Sequence, residues 1–440
     1  MPKSLRSQFL RLSLVNVISN LMVPLAGIVD IAFLGHLSDI RYLAGVSLAT
    51  VIFNYIYWSF GFLRMATTGT TAQAVGRGQD DQVWLIGVRN GCIALALGIG
   101  ILVLQWPLRE LGFWLLGAEA GVELAGRAFF DGRIWGAPAT LINFVVIGWF
   151  LGRSHGGKVL LLSAVGNSAN VALDYWMIVR LGWGSAGAGL ATALSQYLML
   201  IVGLGLLAWE GFPAIANRRA WFADMWNRRS LHHVFALNTD IMIRTLALVS
   251  AFSVFINLSA LMGTTTLAVN TLMLQILTLT AYFIDGLAFA TESIAGMIDG
   301  RGDRSQLVPL LRWSGGLSLA IGLIAALVFT LFPEFLFSRL TDHRQVVAAT
   351  KEVVGWLFPV FGFGAIAFML DGYFIGLTQG TILRTSSLLA TLIGFAPAAI
   401  VAWSLQDVHW LWLAMTLFML TRGITLGVCV PNTVRSPQNF

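Results

Sequence analysis

Apolar runs of about 20 or more residues, enough to cross about 30 Å of hydrocarbon, recur along the whole 440-residue chain, and a short polar or basic stretch closes each one. Twelve spans are expected, near residues 12–34, 45–72, 84–106, 130–152, 159–180, 186–208, 238–262, 266–298, 309–332, 353–378, 384–404 and 408–430. Runs of this length predict membrane helices. The pattern therefore predicts an all-α polytopic membrane protein. Its longest polar interruption, 209–236, is basic and Trp-rich, as an amphipathic segment lying at a membrane interface is.

The pattern also repeats. Sliding the sequence against itself by 224 residues aligns "YLAGVSLATVI…ATTGTTAQAVGRG" (42–78) with "TLAVNTLMLQI…ATESIAGMIDGRG" (266–302), and "GWFLG" (148–152) with "GYFIG" (372–376). Identical pairs include Leu43/Leu267, Ala66/Ala290, Thr67/Thr291, Arg77/Arg301 and Gly78/Gly302. One offset shared by two distant segments implies six spans used twice. Six is even, so the copies are parallel and related by an axis along the membrane normal. The expected division is an N-terminal six-helix lobe (1–208), a cytoplasmic linker (209–236), a C-terminal six-helix lobe (237–432) and a tail (433–440).

Composition agrees with lipid as the solvent: 57% hydrophobic residues, 11% charged, sixteen Trp and a mean hydropathy of +0.79. The net charge of +6 does not point to nucleic acid, because Lys and Arg lie between spans rather than on a soluble domain. With both termini inside, sixteen of the 27 basic residues fall on the cytoplasmic side, the excess expected there. The basic start "MPKSLRSQFLRLSLVN" resembles a signal region, but the span after it is long and lacks a clear small-residue cleavage site, so it reads as a retained anchor. Cys92 and Cys429 both lie in apolar spans and offer neither a disulfide framework nor a metal cluster.

Chemistry is expected where the repeat breaks. Asp30 and Asp174 align with Val254 and Ala398, whereas Asp285, Glu292 and Asp371 align with Gly61, Thr68 and Ile147. On span 5, Ser163, Asn167, Asn170 and Asp174 fall within about 60° of one another at 100° per residue. Counted from the outer ends of their spans, Asp30, Asp174, Thr192 and Asn143 share a layer roughly 8–15 Å deep at 1.5 Å per residue. A lone carboxylate at that depth is costly, and nearby Asn and Thr groups solvate its charge or a bound cation. Asp285, Glu292 and Asp371 form a deeper stripe in the second lobe, as cation-attracting or structural acids. Pro24, six residues before Asp30, is expected to bend span 1.

Plainer readings hold elsewhere. Asp240 and Arg244, four apart, are expected to pair with each other, and no cation is evident near Asp30 or Asp174 in their own lobe. Gly148/Gly152 and Gly372/Gly376 read as close helix packing. The six His show no metal-ligand spacing. No Walker A, nucleophile elbow or HExxH motif is present.

Seven stretches carry a family resemblance: "ISNLMVPLAGIVDIAFLGHL" (18–37), "GAPATLINFVVIGWFLG" (136–152), "NSANVALDYWMI" (167–178), "GSAGAGLATALSQ" (184–196), "DIMIRTLAL" (240–248), "IDGLAFATESIAG" (284–296) and "FMLDGYFIG" (368–376). In this order the chain resembles the multidrug and toxic compound extrusion (MATE) transporters, in their DinF-like branch. The resemblance implies a V-shaped, two-lobed exporter of organic, often cationic, compounds. It works by alternating access, driven by an H+ or Na+ gradient and using no cofactor. It implies a coupling-ion site at Asp30, Asn170, Asp174 and Thr192, to which depth and spacing add Asn167 and Asn143. Some relatives carry a Tyr one turn before the span-1 acid, where this chain has Ala26.

The expectation is H+-coupled antiport of small organic substrates by a monomer in the bacterial inner membrane, with no nucleic-acid partner. Na+ is the alternative ion at Asp30, Asn170, Asp174 and Thr192. Two other readings stand beside it: a flippase for a lipid-linked or amphiphilic molecule, and, from another class, an integral-membrane transferase.

Overall fold

The computed structural model describes residues 3–37, 39–117, 119–211, 218–341 and 343–435, and among them every regular element is a helix. In the first half α1 (Lys3–Gly35) precedes α2 (Ile40–Ser59) and α3 (Phe62–Gly76), which form one span broken at Phe60–Gly61. Next come α4 (Asp80–Val103), α5 (Gln105–Leu116) and α6 (Ala120–Arg133), and a 3-10 turn joins α6 to α7 (Ala137–Gly152). Helix α8 (Gly156–Asp174) runs into a π-helix (Tyr175–Arg180), followed by α9 (Gly184–Glu210) and the short α10 (Arg218–Met225).

The second half contains α11 (Arg228–Leu261), α12 (Thr264–Arg301), α13 (Leu307–Leu331), α14 (Pro333–Phe337) and α15 (Arg344–Val353). A 3-10 turn leads into α16 (Leu357–Gly376), α17 (Gly380–Leu389) passes through a π-helix (Ala390–Phe395) into α18 (Ala396–Leu405), and α19 (Val408–Arg435) ends the described chain. Eleven of these helical stretches are long and apolar enough to cross a membrane. The stretch 156–180 is equally continuous, but Ser163, Asn167, Asn170 and Asp174 make it the polar one.

The chain separates into two compact units, Ile18–Val234 and Met1–Val17 with Phe235–Phe440. The beginning of α1, assigned from the sequence to the first lobe, packs with the second half. One contact is with Gly286 of α12, where a side chain would meet the Val17 backbone nitrogen at 2.8 Å, and another sets Arg6 over the Trp313 ring at 4.3 Å. In that second unit Phe255, Met273, Trp412 and Phe418 are fully buried, and Asn270 ties the core together, donating to Ser259 Oγ at 2.7 Å and accepting from Trp412 Nε1 at 2.9 Å.

The 224-residue offset reappears in backbone geometry. Helices α3 and α12 both end at a left-handed glycine, Gly78 (φ 70°) and Gly302 (φ 76°). The next residue's N–H reaches back to Ala74 O or Ile298 O, the same 6→1 closure in each copy. Helices α7 and α16 end in the same way at Ser154 (φ 57°) and Thr378 (φ 55°), with His155 N–H on Phe150 O and Gln379 N–H on Phe374 O, both at 2.9 Å. Packing is duplicated too. A Cβ on Gly148 would stand 2.5 Å from Arg64 O and one on Gly372 2.4 Å from Ala288 O, while Gly152 and Gly376 abut Thr68 O and Glu292 O at 2.7 and 2.2 Å. Each partner pair is again 224 residues apart.

At the end of α9 the Glu210 carboxylate accepts from Arg153 and Lys158, closing the α7–α8 turn onto α9. His155 sits in that turn with Nδ1 3.3 Å from Glu210 Oε1. Because Glu210 is already held by two full cations, burial dominates, and with the Arg153 and Lys158 charges it pushes the imidazole down to about 4.

Two predictions follow from this packing. Gly376→Ala forces Glu292 O to move and is expected to cost about 1–3 kcal/mol, seen as a lower melting temperature in detergent, whereas Gly91→Ala, with nothing within 4 Å, leaves it unchanged. For His155, the unfolded chain takes up its proton near pH 6.5 and the folded chain only near 4, so the unfolded state binds more protons between these values. Stability from this group therefore rises with pH across that window and is lost on acidification. Melting temperatures of the wild type measured across it should slope more steeply than those of His155→Gln.

Candidate functional site

Asp30 lies on α1, six residues beyond Pro24, which removes one backbone N–H from that helix while the helix continues through it. Asp174 is the last α-helical residue of α8, and the π-helix begins at Tyr175. Asp30 and Asp174 both belong to the first unit, and the two carboxyls lie within hydrogen-bond reach of each other. Neither Asp30 Oδ1 nor Asp174 Oδ1 receives an N–H or O–H from another group. Two ionised carboxyls this close repel each other, so the pair calls for a proton on one partner or a cation between them. Asn170 completes the group, its Nδ2 donating to Asp174 Oδ2 at 2.7 Å. Asp174 is 1% exposed and Asn170 8%.

The other expected members are committed elsewhere. Asn143 donates to Gln196 O and Oε1 at 2.9 and 3.1 Å, pinning α7 to α9. Asn167 Nδ2 and the Thr192 hydroxyl donate to carbonyls four residues back in their own helices, Ser163 O and Ala188 O.

A cation lies in the same unit as the acids. Arg133, the last residue of α6, is close enough for its charge to act on Asp30. Its guanidinium lies over the rings of Phe53 (4.6 Å), Phe129 (5.5 Å) and Tyr57 (5.8 Å). It reaches this position because α6 and α9 touch backbone to backbone: a Cβ on Gly189 would stand 2.3 Å from Phe129 O. Sequence reading left Arg133 among the basic residues of the outer side, at the outer end of the span 130–152. The available signal was Phe53/Tyr57 and Phe129/Arg133, each four residues apart on one helix face.

In the second unit the expected Asp240–Arg244 pair does not form. Asp240 instead accepts from Arg384 at 2.6 Å and Thr381 at 3.0 Å. Arg244 and Arg422 both donate to Asp371 Oδ2, and Asp285 is near enough for its charge to act on Arg422. Arg422 is fully buried, stacked with Phe368 at 5.3 Å and Phe418 at 5.6 Å. Helix spacing alone favours i,i+4 pairing, but desolvated charges take whichever partner the tertiary fold brings into contact. Glu292 is fully buried on the α12 face against α16.

The model of the family described as MatE matches this chain twice, over residues 16–176 and 241–400. The chain belongs to the MatE family. The two matches fall one on each copy of the repeat. The MatE chain is 35% identical to DNA damage-inducible protein F of Escherichia coli (strain K12), an alignment covering 94% of this chain and 90% of that protein. It is 24% identical to a probable multidrug resistance protein NorM of Thermotoga maritima, covering 86% and 80%. Among solved structures it superposes on the outward-facing conformation of a multidrug resistance MATE family transporter with a TM-score of 0.89 at 19% identity, over 98% of this chain and 97% of that one. The MatE chain is a multi-pass membrane transporter and not an enzyme.

Removing one partner from a buried ion cluster leaves the others uncompensated. Asp371→Ala in the MatE chain is expected to lower stability by about 3–5 kcal/mol, while Glu334→Ala, which breaks an exposed, solvent-screened pair with Lys351, leaves it nearly unchanged. Thermal unfolding in detergent measures both.

Proposed function

We propose that this MatE protein is a secondary active multidrug exporter of the bacterial inner membrane. It expels small organic, often cationic, compounds by alternating access, in exchange for protons. The observation that carries the proposal is the meeting of Asp30 and Asp174, two carboxyls whose mutual repulsion a proton on one of them removes. Asp30 and Asp174 hold the coupling proton, Asn170 orients Asp174, and Pro24 is the hinge at which α1 yields. When the proton leaves, two carboxylates face each other where one hydrogen bond stood, and the helices carrying them move apart. Thr192, Asn167 and Asn143 line the same layer and are recruited when α1 moves. Asp285, Glu292 and Asp371 belong to the second lobe's cavity. The protein acts as a monomer with both termini in the cytoplasm, its two six-helix lobes joined by the segment 209–236.

Everted, acid-loaded vesicles containing a pH-sensitive dye test this. Adding a cationic drug is expected to release protons from wild-type vesicles without Na+, and Asp30→Asn or Asp174→Asn reduces the initial rate by at least about tenfold, a barrier change of about 1.4 kcal/mol. Unimpaired proton release in Asp30→Asn would sink the assignment of the coupling site. If no drug evokes a response with either ion in the wild type, the exporter reading gives way to the flippase.

A further inference from the structure

An arginine has five N–H donors and no acceptor, and the two buried arginines of the Asp371 cluster use few of theirs. Arg244 and Arg422 each place Nη2 on the same atom, Asp371 Oδ2. Among the described residues Arg244 Nε, Arg422 Nε and Arg422 Nη1 are buried with no hydrogen-bond partner. Exposure is 8% for Arg244, 0% for Arg422 and 3% for Asp371. The Arg422 guanidinium also lies against the Phe368 and Phe418 rings, at 5.3 and 5.6 Å, which restrains it from swinging to acceptors elsewhere. Asp285 acts on Arg422 through its charge but gives neither Arg422 Nε nor Nη1 an acceptor. The cluster therefore lacks acceptors, and a buried donor left unmet is costly, most of all on a charged group.

We propose that Arg244 and Arg422 anchor a binding site in the second unit for a small organic molecule bearing a carboxylate, sulfonate or phosphate group. An oxyanion offers several lone pairs at once, and its hydrogen bonds to a guanidinium are charge-assisted, stronger than those of a neutral carbonyl or a water. Asp371 positions both guanidiniums by holding one nitrogen of each, and the remaining donors are left for the ligand. The site is closed in this conformation, and the ligand enters as the packing of α11, α16 and α19 loosens. Arg244, Asp371 and Arg422 lie about six to eight residues from the ends of the spans 238–262, 353–378 and 408–430 that face the cytoplasm when both termini are inside. At 1.5 Å per residue they share a layer about 9–12 Å deep, on the side from which an exporter takes its load. The consequence for transport, that organic acids and zwitterions are exported as well as cations, rests on the exporter reading above; the binding of an anion does not.

The test is equilibrium dialysis of 14C-benzoate against the purified full-length protein in detergent at neutral pH, with wild type, R244M and R422M, and with uncharged benzamide as a competitor. Wild type is expected to bind benzoate saturably, and benzamide leaves that binding in place. R244M and R422M, the latter keeping an apolar stem against the two rings, each weaken it by about tenfold or more. If neither methionine variant folds, R422K, which keeps the charge but not the fork of donors, replaces them and weakens binding in the same direction. A wild type without saturable benzoate binding overturns the proposal, since water alone then meets the unmatched donors. So does binding that benzamide displaces, or binding that persists at full strength in a variant with the wild-type elution profile and melting temperature. A wild type that binds benzoate as expected yet exports neither benzoate nor a cationic drug refutes the exporter reading and leaves the anion site standing.

Discussion

In hydrocarbon a charged group has no solvent to turn to, so it must find its partners within the chain. This constraint shapes the interior of each unit. In the first, Asp30 and Asp174 share a contact, Asn170 solvates one of them, and Arg133, whose charge acts on Asp30, rests on an aromatic cushion. In the second, Arg244 and Arg422 converge on Asp371. The two solutions differ in kind. The second is an ion cluster with both cations in direct contact with the acid, suited to holding helices α11, α16 and α19 together. The first joins acid to acid, an arrangement whose charge has to be balanced by a proton or a bound cation.

The scaffold around these groups is the same in both copies. Paired glycines bring α7 onto α3 and α16 onto α12 against equivalent carbonyls, and matching left-handed residues end the same helices. Backbone geometry at a close approach depends on small residues and turn closure, which duplication preserves and packing enforces. Side chains pointing inward have no such duty. They have diverged, so that Gly61, at the break between α2 and α3, stands where the continuous α12 carries Asp285.

Much of the fold was legible because lipid imposes a one-dimensional rule: about 20 apolar residues make a span. The repeat was legible because its register contains no insertion between the two matched segments. Asp30, Asn170 and Asp174 could be singled out from depth and helical spacing, since polar residues at such depth are few. What escaped was partnership across the bundle. Arg133 looked like an outer-end residue of its span because it lies at the start of the apolar run 130–152, and its approach to the aromatic rings depends on α6 meeting α9 where Gly189 abuts Phe129 O. Asp240 and Arg244 misled in the opposite direction, being neighbours on one helix that the tertiary fold assigns to Arg384 and Asp371. Local spacing offers candidate pairs, and desolvation chooses among all that come within reach.

The π-helix at Tyr175–Arg180 follows directly on Asp174. A π turn carries one residue more than an α turn, so this span stores a surplus residue whose position along the helix is not fixed by chain length. Were the surplus to lie one turn earlier, Asp174 would be rotated by about 100° and displaced by about 1.5 Å along the axis. The bearing of that carboxyl, toward Asp30 or away from it, is therefore a question of helical phase, and the phase can change without altering either end of the span.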